Sequence, residues 1–204
     1  MRINLMNQRR ARDKDKTVQD ILTAARQLFS EMGIYGTSIR DIEKASGVSK
    51  GLILHHFGTK EKLYAAVQDL LAQGYVTMMD TKRRKSKNFR DMVAAAVRSA
   101  FEYTKNNPEY RRISLWSYLE GQERNTELEK RFIKALIAAM RDGQQSGVVR
   151  EDIDAFLMPF IIRGTIDYWI QKEKLVQELI DNGENQEGGP DDRLIDALTQ
   201  LFTK

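Results

Sequence analysis

Helical periodicity broken by single glycines is the feature that most restricts how this chain can fold. Val18, Ile21, Leu22, Ala25, Leu28, Phe29 and Met32 recur at spacings of three and four, the pattern of an amphipathic helix that buries one stripe. Gly33 follows the last of them and is placed to end the helix in a left-handed cap. Thr37 and Ser38 can each cap a second helix, about residues 39–46, which Gly47 closes. Ser49 caps a third, about 50–56, with Gly58 as its exit, and Thr59 caps a fourth that runs from Lys60 towards Met79. Only three prolines interrupt 204 residues, so helices can continue through the rest of the chain.

Further amphipathic stretches begin at Phe89, near Glu109, at Leu128, at Ile153 and at Arg193. The helix expected over 153–174 carries Pro159 past its first turn, which predicts a kink there. Residues 80–88, with five basic side chains, form a hydrophilic break, and residues 181–192 read as an acidic, mobile loop. Residues 1–16 hold six basic and two acidic side chains without an apolar stripe, so a basic flexible arm is expected. No credible strand or internal repeat is found, and the fold class is all-α.

Several chemistries are excluded or disfavoured. Without cysteine there is neither disulfide nor thiolate metal site, which fits a cytoplasmic protein. The longest apolar run, residues 155–162, is far short of the ~18 residues of a membrane span. The two histidines, His55 and His56, are adjacent and therefore point ~100° apart on a helix, so they cannot chelate one metal as an i, i+4 pair does. No nucleophile elbow, P-loop or acid/base pair stands out, so no enzyme, metal or cofactor is expected.

Charge is divided unevenly. Up to Lys87 there are 17 Lys and Arg against 9 Asp and Glu, while the remainder holds 16 against 20. A basic front and an acidic rear suit a front that faces a polyanion. Two short helices joined by a turn containing Gly47 describe a helix-turn-helix, whose second helix enters the major groove of double-stranded DNA.

Residues 37–63, TSIRDIEKASGVSKGLILHHFGTKEKL, closely resemble the DNA-binding segment of the TetR family of bacterial transcriptional regulators, and ILTAARQLFSEMGIYG before them resembles the family's first helix. The resemblance covers about residues 18–67. Three positions depart from it: Glu43 and Ser46 replace small alanines, and Leu54 replaces a tyrosine that contacts phosphate, so either His55 takes over that contact or the operator contact differs.

Thr37, Ser38, Ser49 and Lys60 are placed to reach phosphates at helix ends, and the N-terminus of the third helix favours an anion. Gly51 lets the backbone approach DNA. Lys50, Leu52 and His55 are candidates for base edges, and Arg40 for a base or phosphate.

The resemblance implies an N-terminal three-helix DNA-binding domain over 17–64, its fourth helix continuing to about 80 as a connector. A C-terminal domain over 81–204 would bind a small-molecule effector and dimerise. Homodimerisation is expected through helices at about 153–174 and 193–203, with Gly164 allowing close packing. Candidate effector-binding residues are Phe101, Trp116, Phe132, Leu136, Met140 and Phe160 as apolar walls, with Glu102, Glu120, Arg163 and Asp167 as charges within apolar stretches. Arg163 and Asp167, four apart, can equally pair with each other. The expected function is a repressor released from a palindromic operator by its effector; a regulator without ligand, or one controlled by a protein partner, is the alternative.

Overall fold

The computed structural model describes residues 2–83, 86, 88–124, 126–181 and 188–204. Ten helices are seen among them: α1 (Arg2–Met32), α2 (Ile39–Ser46), α3 (Lys50–Phe57), α4 (Lys60–Arg83), α5 (Phe89–Asn106), α6 (Pro108–Leu119), α7 (Glu127–Gln145), α8 (Met158–Gln171), α9 (Glu173–Asp181) and α10 (Pro190–Phe202). The only β feature among the described residues is an isolated bridge between Val149 and Thr203.

The chain divides into two compact units, Met1–Leu71 with Pro108–Arg124, and Ala72–Asn107 with Asn125–Lys204. This division differs from the expected boundary near residue 80, because α6 leaves the rear sequence and joins the first unit. The reason lies in packing: Ile113 on α6 is buried in one cluster with Ile21, Phe29, Ile42, Ile53 and Leu63. Each such side chain contributes about 1.5–3 kcal/mol on burial. The Phe29 and Tyr64 rings meet edge to face at a centroid distance of 4.9 Å. The buried Tyr64 hydroxyl lies 2.9 Å from Ser117 Oγ, and both hydroxyls are within hydrogen-bonding reach of the Ile113 carbonyl, so the three groups satisfy one another.

The second unit is built around Val97, Phe101, Met158, Ile166 and Phe202. Beside the Val149–Thr203 bridge, the Arg150 N–H donates to the Phe202 carbonyl and the Lys204 N–H to Val148. Gly143 lies where α7 passes Phe89 and Val149 so closely that a methyl group would overlap both side chains.

Three expectations about the elements are corrected. Helix α1 begins at Arg2, not at Thr17, so residues 2–16 are helical and not a flexible arm. No glycine or proline precedes Gly33, and Arg, Lys, Gln, Ala, Leu and Met tolerate a helix well. Helix α8 begins at Met158, which puts Pro159 in the first turn, where its missing N–H costs nothing. The expected kink therefore does not arise, and α9 is a separate helix. Of the two expected breaks, residues 84, 85, 87 and 182–187 lie outside the described residues; α4 continues to Arg83 and α10 begins at Pro190.

Candidate nucleic-acid interface

The first unit presents a helix-turn-helix formed by α2 and α3. Ser38 is the N-cap of α2: its Oγ accepts from the Asp41 N–H while the Asp41 carboxylate accepts from the Ser38 N–H, a complete capping box. The hydrogen-bonded carboxylate form of Asp41 is favoured by the Ser38 side chain and then its backbone, which lowers the carboxyl pKa from its ordinary value. Gly47 ends α2 at φ 69°, a conformation that a side chain would strain, and its N–H donates to the Glu43 carbonyl. Ser49 then caps α3 by accepting from the Leu52 N–H.

Helix α3 buries Ile53 and exposes Lys50, Gly51, Leu52 and His55. Leu52 and His55 are three apart and share a face. Leu52 is 40% exposed, although leucine is a residue that folding would ordinarily bury. Arg40 on α2 and Ser38 are also exposed, and the space where a Gly51 Cβ would lie is open. Leu54 and His56 are half-buried, and His56 meets Phe57 at 6.4 Å between ring centroids. The structure therefore brings Ser38, Arg40, Lys50, Gly51, Leu52 and His55 to the surface of one motif.

Two expected phosphate contacts have other work here. Thr37 is 1% exposed, and its hydroxyl donates to the Gly33 carbonyl at 2.8 Å, so Ser38 and not Thr37 caps α2. Lys60 is half-buried, with Nζ donating to the carbonyls of Ile34 at 2.7 Å and Thr37 at 2.9 Å. The same turn is held on its N–H side by Glu120, whose carboxylate accepts from Ile34 at 3.0 Å and from Tyr35 at 3.1 Å. A cation on the carbonyls and an anion on the amides thus fix the α1–α2 turn, where Gly33 adopts φ 68°.

The N-terminus of α3 is also already engaged. Glu43 Oε1 accepts the Lys50 N–H at 2.7 Å, so a carboxylate of α2 occupies the position where a phosphate was expected. Glu43 was visible in the sequence only as a departure from a small residue; the bond it makes spans seven positions and follows from the tight turn.

The candidate effector residues separate. Trp116 and Glu120 belong to the first unit, Glu120 as the clamp just described. Of the apolar residues around them Ile113 is buried in that unit, whereas Leu115, Tyr118 and Leu119 are exposed. Phe132, Leu136 and Met140 line one cavity of the second unit, together with Met79, Asp80, Met92 and alanines of α5 and α7; its volume is about 50 Å³. Phe101 lines another of about 180 Å³, with Lys105, Trp169, Glu173 and Asp191. Arg163 Nε donates to Asp167 at 2.7 Å, the pairing that their spacing allowed, and its guanidinium lies over the Tyr75 ring at 5.8 Å. Glu102 is half-buried and borders neither cavity, and Phe160 is 51% exposed. No cluster of three or more potential metal ligands occurs among the described residues.

Residues 21–67 match the family model for bacterial regulatory proteins of the tetR family, and residues 91–189 match the tetracyclin repressor-like C-terminal domain. A 49-residue stretch is 51% identical to the HTH-type transcriptional repressor AcnR of Corynebacterium efficiens, covering 24% of this chain and 26% of that protein. The chain thus matches only about a quarter of that relative's length. The HTH-type transcriptional repressor SCO4008 of Streptomyces coelicolor is 25% identical over 203 residues, 95% of this chain and 99% of that one. The transcriptional regulator SCO4942 of Streptomyces coelicolor shares the fold with a TM-score of 0.75 at 21% identity, over 91% of this chain and 98% of its own. A TetR family regulator of Marinobacter aquaeolei does so with a TM-score of 0.75 at 19% identity, over 96% and 99%. With both family models matched in order and one fold shared over almost its whole length, this chain belongs to the TetR family of bacterial transcriptional regulators.

Proposed function

We propose that the protein is a homodimeric, cytoplasmic repressor, not an enzyme, that binds a palindromic operator through α3 and releases it when a small molecule occupies the second unit. The exposed strip of Leu52 and His55 on one face of α3, with Lys50 exposed at its N-terminus and Arg40 exposed on α2, carries this reading. Lysine can donate to guanine N7 or O6, and leucine can pack on a thymine methyl. Ser38, Ser49 and the Gly51 backbone serve the phosphates, while Thr37 and Lys60 act indirectly by shaping the turn before α2.

A dimer places two such strips one helical turn of DNA apart. Its support in the second unit is the set of exposed apolar residues Phe156, Leu157, Phe160, Tyr168 and Leu201, with open space at Gly164 on α8. SCO4008, named a repressor and matched over nearly its whole length, supports the sign of regulation. Control by a protein partner is the second reading, supported by the small volumes of the two cavities lined by Phe132 and by Phe101 as they stand without a ligand.

Selection from random duplex DNA tests the proposal. Wild type is expected to enrich a two-fold symmetric site and Leu52→Ala to relax one base pair in each half. An asymmetric site would overturn dimeric recognition. A Leu52→Ala profile identical to wild type would remove Leu52 from the reading residues.

A further inference from the structure

Two cavities of the second unit, one lined by Phe101 and one by Phe132, differ in what they could hold. In the larger one the ionisable groups already satisfy one another. Lys105 Nζ lies 2.5 Å from Asp191 and 3.3 Å from Glu173, and the other Asp191 oxygen accepts from Trp169 Nε1 at 3.0 Å. Those contacts join α5, α8, α9 and α10 and need no ligand to complete them.

The smaller cavity has another character. Met79 of α4, Met92 of α5, and Phe132, Leu136 and Met140 of α7 give it almost wholly apolar walls, and Asp80 is the one ionisable residue in its lining. Three of the wall residues are methionines, whose unbranched thioether chains repack at little cost, and the neighbouring alanines leave them room. Met79 and Met140 are buried, whereas Met92, Phe132 and Leu136 are half-buried, so the cavity has a closed end and an accessible side. Asp80 is half-buried and has an interaction of its own. A carboxylate offers about four lone-pair sites, so it can accept a further donor.

We propose that this α4–α5–α7 cavity takes an apolar amine: a hydrocarbon body among the methionines and Phe132, and an ammonium group on the Asp80 carboxylate. A carboxylate-headed ligand of the same length would bring a second negative charge beside Asp80, where apolar walls screen it poorly. An alcohol would fall between the two. This assignment rests on reading the second unit as the effector unit.

The test uses the full chain labelled at its methionine methyl carbons, eight in all, and titrates hexylamine, 1-hexanol and hexanoate at pH 7. Hexylamine is expected to shift the Met79, Met92 and Met140 signals and to bind at least about tenfold more tightly than hexanoate. Asp80→Asn is expected to bring hexylamine to the level of the alcohol. Ala139→Phe, which fills the cavity, is expected to abolish binding of all three probes.

Equal binding of hexanoate and hexylamine to the wild type would overturn the assignment, as would a ranking unchanged in Asp80→Asn. Shifts confined to other methionines would do the same. Operator affinity is measured in parallel. If hexylamine fills the cavity and leaves DNA binding unchanged, the effector reading fails while the ligand assignment stands. If the operator is released by hexylamine without shifts at the three methionines, the assignment fails and the effector reading stands.

Discussion

Replacing Glu120 by alanine isolates the clamp on the α1–α2 turn. The carboxylate accepts two backbone N–H groups, Ile34 at 3.0 Å in partly buried surroundings and Tyr35 at 3.1 Å in exposed ones. Hydrogen bonds to a charged group contribute about 1.5–3 kcal/mol each when desolvated. Water can replace the Tyr35 partner, so that bond is discounted to about 0.5 kcal/mol, within the range of exposed charge interactions. The expected loss for Glu120→Ala is therefore about 2–3.5 kcal/mol. For Glu120→Gln, which keeps one amide oxygen as a neutral acceptor, it is about 1 kcal/mol.

Urea denaturation followed by circular dichroism measures both, with the slope of the transition checked to show that the unfolded state is unchanged. A Glu120→Ala protein within about 0.5 kcal/mol of wild type would show that solvent serves these amides equally well and would refute the clamp. Operator affinity in the same variants reports on function. Because the turn leads directly into the α2 capping box, weaker binding is expected in parallel with stability, with the base preference unchanged.

Two further predictions concern single positions. Gly143→Ala would drive a methyl group into Phe89 and Val149, so a loss of about 1–2 kcal/mol is expected from overpacking less the gain in helix propensity; a more stable variant in the same denaturation assay would contradict the packing. Asp41 has a folded pKa below its ordinary 3.8, chiefly through the Ser38 side chain, so its contribution is fully present above that value and is lost as pH falls through the lowered folded value. Thermal melts of wild type and Asp41→Asn should therefore differ at pH 6 and converge in strong acid, and a constant difference across that range would count against the capping box.

The boundaries of α2, α3 and the start of α4 were legible because each is fixed locally. Gly47 and Gly58 have positive φ, and Ser38 and Ser49 accept from the amides three residues on. The exposed strip of α3 was legible for the same reason, since an eight-residue helix with Ile53 buried leaves few choices for the outer face. What local pattern cannot fix was read less well. The choice between Thr37 and Ser38 as cap depends on burial of the former, and the roles of Lys60 and Glu120 depend on partners 23 to 86 positions away. Trp116 and Glu120 sit in a stretch with apolar residues every few positions, a pattern that does not tell which unit α6 packs into. The early start of α1 reflects propensity over a run without breakers, a weaker cue than the apolar stripe that begins at Val18.

The membership of α6 in the first unit has a consequence for shuffling parts between regulators. Residues 91–189 match the model of the C-terminal domain, yet the stretch from Pro108 to Arg124 within them folds with the first unit. A chimera spliced after Val67 would import a foreign sixth helix. The Tyr64 hydroxyl would lose Ser117, the Ile34 amide would lose Glu120, and the cluster around Phe29 would lose Ile113. The smallest transferable reader of DNA in this protein is therefore a discontinuous one, and grafts that carry α6 with the first four helices are the ones expected to keep their sequence preference.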